Sequence, residues 1–152
     1  MIKILFICHG NICRSAMAQC VFQNMVNQAG LSDRFFIDSA AAHRDELGSS
    51  IYPPARRKLE REGVPVLPHR ARLMTPADYD RYDLLIGMDQ ANLADMRRVF
   101  SGDPSGKCVL LLDFAGRSDP ISDPWYTGDF DETYRDVLEG CQALFDSLKF
   151  KK

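Results

Sequence analysis

A cysteine and an arginine near the start of the chain have the spacing of a nucleophile and an anion clamp. The segment from Cys8 to Ser15 reads Cys-His-Gly-Asn-Ile-Cys-Arg-Ser and follows a short apolar run. Gly10 and Asn11 tolerate left-handed backbone angles, so the turn can direct its N–H groups towards one point. Arg14 adds a planar, two-pronged donor that suits phosphate oxygens, and the helix that follows adds its positive N-terminal end. The segment therefore predicts an anion-binding loop.

Cys8 is expected to react with the anion that this loop holds. Donors and a helix N-terminus around a thiol favour the thiolate, which is the nucleophilic form of cysteine. Ser15 can donate a hydrogen bond to the sulfur and improve it as a leaving group. Together these features predict nucleophilic phosphoryl transfer. The alternative is a buried strand cysteine beside a solvated helix arginine, but the complete segment between strand and helix favours catalysis.

Hydrolysis of an aryl phosphate also needs an acid for the departing phenolate and a base for water, and one carboxyl group can serve both steps. Two Asp-Pro pairs, at Asp119 and Asp123, lie between the last predicted strand and the last helix. Asp123 is the better candidate, because Trp125 and Tyr126 follow it and can form walls for a phenyl ring. Asp119 is interpreted as a turn residue. The residues expected to contact phosphate or substrate are His9, Gly10, Asn11, Ile12, Cys13, Ser15, Trp125 and Tyr126.

The elements that position these residues follow from the hydrophobic pattern. Continuous apolar runs predict strands that are covered on both faces. The runs are Ile4 to Ile7, Phe35 to Ile37, Leu84 to Ile86 and Val109 to Leu112. Helical patterns alternate with them, which predicts an α/β fold: a single doubly wound domain over residues 1–152, with a parallel sheet flanked by helices. Ligands bind at the carboxyl ends of strands in such sheets, where Cys8 is expected.

Helix ends are predicted from capping signals. A helix should begin at Pro53 and stop near Gly63, and Asp89 should cap another. Thr75 begins a segment that resembles a capping box, with proline at the first helical position. A final helix is expected to bury one apolar side. That side comprises Tyr134, Val137, Leu138, Cys141, Leu144, Phe145 and Leu148.

Composition excludes several classes of protein. The chain is 45% hydrophobic and 26% charged, with a net charge of −2, which argues against a nucleic-acid binder. Five scattered cysteines predict neither a disulfide framework nor a metal site. The N-terminal apolar run is too short to span a membrane, so we expect a cytoplasmic protein.

Both motifs resemble those of low-molecular-weight protein tyrosine phosphatases. The loop from Cys8 to Ser15 is similar to their phosphate loop, and Asp123 to Tyr126 to their acid loop. The similarity runs nearly end to end and includes Asp38 to Ala40 and Met88-Asp89. The resemblance implies a sheet of four parallel strands and metal-free hydrolysis of phosphotyrosine.

The resemblance also implies roles for single residues. Cys8 would be the nucleophile, Arg14 the phosphate clamp and Asp123 the general acid. Asn11, Ser15, Ser39 and His69 would form a network that holds the phosphate loop. Phosphotyrosine-containing proteins or peptides would be the partners, and the protein would be a monomer or weak dimer.

Other functions remain open at this point. Arginine phosphatases of this fold carry threonine where this chain has Ile12, and tyrosine phosphatases carry isoleucine. A cysteine phosphocarrier of related fold is a further alternative, although Arg14 and Asp123 favour hydrolysis. A binding module without catalysis is the last one. Where many relatives place an aromatic residue on the pocket wall, this chain has Asp45, which predicts a more polar and acidic pocket.

Two further predictions concern thiols and surface charge. Cys13 is expected in the same loop as Cys8, where the two can form a reversible disulfide or Cys13 can be a structural thiol. A basic run is interpreted as a solvated face or, alternatively, a dock for an acidic phosphoprotein. Its members are Arg56, Arg57, Lys58 and Arg61. Lys149, Lys151 and Lys152 are expected to form a frayed tail.

Overall fold

Four short strands pair in parallel in the computed structural model, which describes residues 1–149. The strands are β1 (Ile2–Cys8), β2 (Phe35–Ala41), β3 (Leu84–Gly87) and β4 (Cys108–Leu110). Their order in the sheet is β2-β1-β3-β4, so β1 lies at the centre beside β2 and β3. Ile4 pairs with both Ile37 and Leu84. The predicted four-stranded parallel sheet is confirmed.

Helices connect the strands and cover the sheet. They are α1 (Arg14–Gln28), α2 (Pro53–Arg61), α3 (Asp78–Arg81), α4 (Gln90–Val99), α5 (Pro124–Thr127) and α6 (Phe130–Leu148). Short 3-10 helices span Ser32–Arg34 and Leu111–Ala115.

Residues of β1 alternate between two apolar layers. Ile4 and Phe6 belong to the layer that contains α1 and α6, whereas Leu5 and Ile7 belong to the layer that contains α4. All four side chains are fully buried. A strand covered on both faces reads as a continuous apolar run, which explains the sequence at the start of the chain. The expected doubly wound arrangement is therefore confirmed.

Most of the expected helix ends are found in the structure. The helix α2 begins at Pro53, and Gly63 follows its end with a left-handed φ of 71°. Asp89 caps α4, because its side chain accepts a hydrogen bond from the backbone N–H of Asn92. These signals act through neighbouring backbone groups, so the local sequence is enough to predict them.

The strand predicted over Val109 to Leu112 is wrong in its second half. The strand β4 ends at Leu110, and a 3-10 helix begins at Leu111. The carboxylate of Asp113 accepts a hydrogen bond from the Leu110 N–H at 3.0 Å. This bond turns the chain away from the sheet edge and packs Leu111 and Leu112 into the core.

Two other expectations about helices need correction. The helix predicted to begin at Pro76 begins at Asp78, and only half of the capping box forms: the Asp78 carboxylate accepts the Thr75 N–H at 2.8 Å. The same carboxylate is held by Arg72, which explains why it turns back towards the chain before the helix. In α6, Leu138 is 38% exposed because it lies at the edge of the buried stripe.

No helix within residues 1–149 is long and apolar enough to cross a membrane. Of the lysines expected in a frayed tail, Lys149 follows the end of α6 as its C-terminal capping residue. Lys151 and Lys152 lie outside the described residues.

Candidate active site

Cys8 ends the central strand at the carboxyl edge of the sheet, and its thiol meets two polar groups. Ser15 Oγ lies 3.0 Å from the sulfur, and the backbone N–H of Asn11 donates to the sulfur at 3.3 Å. Cys13, the residue that precedes α1, makes no side-chain cap for that helix. The first N–H groups of a helix without such a cap are available to an anion. The thiol, the loop and the helix end therefore suit the binding of an oxyanion.

Asn11 holds the loop in its shape. It adopts a left-handed φ of 61° and is fully buried. Its side chain donates to Ser15 Oγ at 2.8 Å and accepts the Arg72 N–H at 3.2 Å. His69 Nε2 donates to the Asn11 carbonyl oxygen at 2.6 Å. Gly10, the other expected left-handed residue, does not have a positive φ, so one residue accounts for the turn.

Burial lowers the pKa of His69 below its ordinary value, although the Asn11 carbonyl and Asp38 act in the opposite direction. The ring is therefore favoured in its neutral form, with the proton on the nitrogen that donates to Asn11. A neutral donor satisfies this carbonyl without placing a further charge behind the loop.

Arg14 reaches from α1 across the end of the sheet. Its Nη1 donates to Asp89 at 2.7 Å and to the Ile121 carbonyl at 2.9 Å, and its Nη2 donates to Asp123 at 3.4 Å. Among the described residues, its Nε–H and one Nη2–H have no partner. These donors lie along one edge of the guanidinium, and such an edge suits two oxygens of a phosphate.

The charge of Arg14 is secured although the group is buried. Burial by itself lowers the pKa of the guanidinium, but Cys8, Asp89 and Asp123 raise it, and the net shift is upward. The side chain is only 3% exposed, so competition from water is weak.

Asp123 lies where the chain enters α5. One carboxylate oxygen accepts the Trp125 N–H at 3.0 Å, and the other faces Arg14. The Ile121 N–H bonds to the Met88 carbonyl at 3.0 Å, which attaches this segment to the end of β3. Asp119 instead pairs with Arg117 on the surface.

A cavity of about 230 Å³ brings these groups together. Cys8, Arg14 and Asp123 all line it, and Trp125 and Tyr126 lie at its mouth, 51% and 81% exposed. The other predicted residues that line it are His9, Gly10, Ile12 and Cys13. Asn11 and Ser15 do not line the cavity; they support Cys8 from behind.

Comparison with known proteins agrees with this geometry. A family model described as low molecular weight phosphotyrosine protein phosphatase matches residues 3–152. The chain belongs to this family. It is 33% identical to the low molecular weight protein-tyrosine-phosphatase YfkJ of Bacillus subtilis, over 100% of this chain and 99% of the relative. It is also 33% identical to the human low molecular weight phosphotyrosine protein phosphatase, over 95% of this chain and 94% of the relative.

Solved structures show the same fold. The crystal structure of YfkJ superimposes with a TM-score of 0.95, covering 100% of this chain and 97% of that one. A Drosophila arginine phosphatase, 28% identical, superimposes with a TM-score of 0.88, covering 99% of this chain and 100% of that one. The low molecular weight phosphatase fold predicted from the sequence is confirmed.

Ser39 does not take part in the expected loop network. Its hydroxyl donates to the Gln19 side chain of α1 at 2.5 Å, and it makes no side-chain bond to Asn11, Ser15 or His69. Ser39 lies on β2 opposite Phe6, two residues before the register reaches Cys8. It therefore ties β2 to α1 below the phosphate loop.

The sequence did not predict that Asp89 pairs with Arg14 in the site. One of its oxygens caps α4 through Asn92, and the other accepts from Arg14. A signal was present, since Asp89 follows the end of β3 at the same edge of the sheet as Cys8. The capping role follows from the local sequence, whereas the contact with Arg14 depends on the order of β1 and β3 in the sheet.

Two of the four residues in the basic run on α2 have acidic partners. Lys58 contacts both Glu62 and Asp131 at 2.8 Å, and Arg56 lies near Glu60. These acidic neighbours offset part of the positive charge of the run, which favours the solvated-face interpretation.

Proposed function

We propose that this chain is a protein tyrosine phosphatase that works through a phosphocysteine on Cys8. The observation that carries the proposal is the convergence of Cys8, Arg14 and Asp123 on one cavity. A nucleophile, an anion clamp and a carboxyl group in one site are the groups that double displacement at phosphorus needs. Phosphotyrosine-containing proteins or peptides are the proposed substrates, and no metal or cofactor takes part.

In the first step the Cys8 thiolate attacks phosphorus in line with the bond to the phenol oxygen. The S–P bond forms as the P–O bond breaks, and Asp123 gives its proton to the departing phenolate. The free edge of Arg14 binds two oxygens of the phosphoryl group. Because its other donors are engaged by Asp89 and Ile121, the guanidinium is already oriented when substrate arrives.

In the second step Asp123, now ionised, takes a proton from water as the water attacks the phosphocysteine. The S–P bond breaks and inorganic phosphate leaves. Ser15 Oγ, 3.0 Å from the sulfur, donates to the thiolate as it departs and lowers the barrier to this step. Asn11 keeps Ser15 in place through its side-chain amide.

Ile12 supports an aryl substrate. It lines the cavity as an apolar side chain, and a phenyl ring beside it gains contact area without a polar partner. A phosphoarginine side chain would bring a guanidinium, whose donors find no acceptor on Ile12 and would have to reach the carboxylates of Asp45 and Glu46 in the cavity wall. A relative that is an arginine phosphatase makes phosphoarginine the substrate to compare directly.

The first experiment is steady-state hydrolysis of a phosphotyrosine peptide and of p-nitrophenyl phosphate without metal. Cys8→Ser should abolish turnover, and Asp123→Asn should lower kcat on the peptide by about 10²- to 10⁴-fold. The loss should be smaller on p-nitrophenyl phosphate, because its leaving group needs less protonation. Asp119→Asn, the other Asp-Pro pair, is the matched control and should keep wild-type activity.

Each other outcome has a meaning. Full activity in Cys8→Ser would overturn the proposal. Faster release of phosphate from a phosphoarginine peptide would identify an arginine phosphatase. A phosphocysteine that survives removal of the donor would identify a carrier, whereas a phosphatase discharges it to water.

A further inference from the structure

The cavity has a second wall that differs in chemistry from the one formed by Trp125 and Tyr126. Past the end of β1, the backbone pairing with β2 continues: Ala42 N–H donates to the Cys8 carbonyl at 2.9 Å and His43 N–H to the His9 carbonyl at 3.0 Å. This pairing places the rings of His9 and His43 side by side. Their centroids are 4.3 Å apart and their planes are 24° from parallel, so the imidazoles are stacked.

A carboxylate holds each of the two rings. His9 Nε2 lies 2.6 Å from Asp45 Oδ2, and His43 Nε2 lies 2.9 Å from Asp95 Oδ2 on α4. The segment after β2 therefore restrains His9 in three ways: a backbone hydrogen bond from His43, a stack with the His43 ring and a side-chain bond to Asp45. A ring with this many restraints loses little conformational freedom when a ligand packs on it.

The His9 ring is also accessible. Its side chain is 46% exposed and lines the cavity, although one face is covered by His43. Among the described residues that line the cavity, His9 is the only one outside α5 with a ring. The remaining neighbours on that side are Gly10, Ile12, Asp45 and Glu46. Away from Trp125 and Tyr126, His9 is therefore the ring in the cavity wall that a planar substrate group can contact.

We propose that the ring of His9, held by Asp45 and backed by His43, packs against the phenyl ring of the substrate. His9 is then a specificity-determining residue that favours aryl over alkyl phosphate monoesters. The inference rests on the proposed phosphatase function. It assigns to the ring of His9, and not to the charge of Asp45, the contact that discriminates between substrates.

The test compares three substitutions at one position. His9→Ala removes the ring, His9→Phe keeps a ring without a bond to Asp45, and His9→Gln keeps a polar group without a ring. His9→Ala should raise KM for a phosphotyrosine peptide by about 3- to 10-fold, the range for one aromatic contact, and leave kcat unchanged. His9→Phe should restore KM, and His9→Gln should not.

Two further measurements distinguish an effect of His9 on the cavity wall from an effect on the anion-binding loop. Inhibition by inorganic phosphate, which fills only the anion loop, should be the same in wild type and His9→Ala, whereas inhibition by phenylphosphonate should weaken. The preference for a phosphotyrosine over a phosphoserine peptide should fall by the same factor as KM rises. Arg44→Ala is the matched control: Arg44 is exposed in the same segment but does not line the cavity, so no parameter should change.

Opposite results would overturn the inference. An unchanged KM in His9→Ala, or rescue by His9→Gln and not by His9→Phe, would show that the ring does not pack on the substrate. A weaker phosphate inhibition in His9→Ala would show that His9 instead supports the anion loop. If the wild-type protein has no phosphatase activity, calorimetric affinities for phenylphosphonate and phosphate still test the wall, so failure of the function and failure of the wall can be told apart.

Discussion

Cys8 and Cys13 lie in the same loop, but their thiols meet different surroundings. Polar groups of Ser15 and Asn11 face Cys8. Burial, followed by the charges of Cys8 and Asp123, raises the pKa of the Cys13 thiol. Cys13 therefore stays protonated at neutral pH, and it does not compete with Cys8 for the phosphoryl group. The redox role of Cys13 stays a prediction.

We expect mild peroxide to link Cys8 to Cys13. Peroxide converts the Cys8 thiolate to a neutral sulfenic acid, which removes one of the charges that raise the pKa of Cys13. Cys13 then gives up its proton, and its sulfur attacks the Cys8 sulfur and displaces water to give the disulfide. Mass spectrometry of the digested protein checks the bond, and thiol reductant should restore activity. Cys20→Ser, which changes a buried thiol of α1, is the matched control and should still form the bond. Irreversible oxidation of Cys8 without a disulfide would identify Cys13 as a structural thiol.

His69 predicts a pH dependence of stability. Its folded pKa is lowered, chiefly by burial, so the stability that the neutral ring confers is complete above the unfolded pKa of about 6.5. That stability is lost as pH falls from there through the lower folded pKa. Urea midpoints should fall across this window in wild type and fall less in His69→Gln, which can donate to Asn11 but does not titrate. Equal losses in both proteins would show that another group titrates.

At the scale of elements, α6 packs closely on the 3-10 helix that follows β4. Gly140 lies at this contact, and a Cβ placed there would be 2.5 Å from Cγ of Leu111, which is fully buried. The close approach requires glycine at this position, although glycine is unfavourable in a helix interior.

Gly140→Ala should destabilise the protein by up to about 2 kcal/mol. Overpacking costs about 1–3 kcal/mol, and the better helix propensity of alanine offsets about 1 kcal/mol of this. Urea unfolding measures the change. Leu111→Ala in the same chain should make the double variant more stable than the sum of the two single effects predicts. Additive effects of the two substitutions would mean that Gly140→Ala does not destabilise the protein through contact with Leu111.

For the whole molecule, the two apolar layers share one sheet. Because Ile4 and Leu5 of β1 enter opposite layers, the loss of β1 exposes both at once. The cavity is in turn formed by segments that follow β1, β2 and β4. Fold and site therefore depend on the same central strand.

We expect the chain to unfold in one cooperative transition as a single domain. Far-UV circular dichroism reports the helices, and fluorescence of Trp125, the single tryptophan, reports the cavity mouth. The two urea curves should coincide. A fluorescence change at lower urea would show instead that the segment with α5 opens independently of the sheet.

The sequence by itself determined the sheet, most helix ends and the identity of the loop from Cys8 to Ser15. These features depend on contacts with neighbouring residues: a buried central strand needs a continuous apolar run, and Asp89 caps the helix that it precedes. Pro53 and Gly63 act in the same way at the ends of α2. Because these contacts join residues that are close in sequence, they can be predicted without knowing how the strands pair.

Only the tertiary structure decided which distant groups meet. The second oxygen of Asp89 binds Arg14 from 75 residues away, and the Ser39 hydroxyl pairs with Gln19 instead of the phosphate loop. The stacked rings of His9 and His43 depend on the register between β1 and β2 beyond their ends. Such contacts follow from strand order, register and the direction of each side chain, and a shift of one residue in register would send a side chain to the opposite face of the sheet.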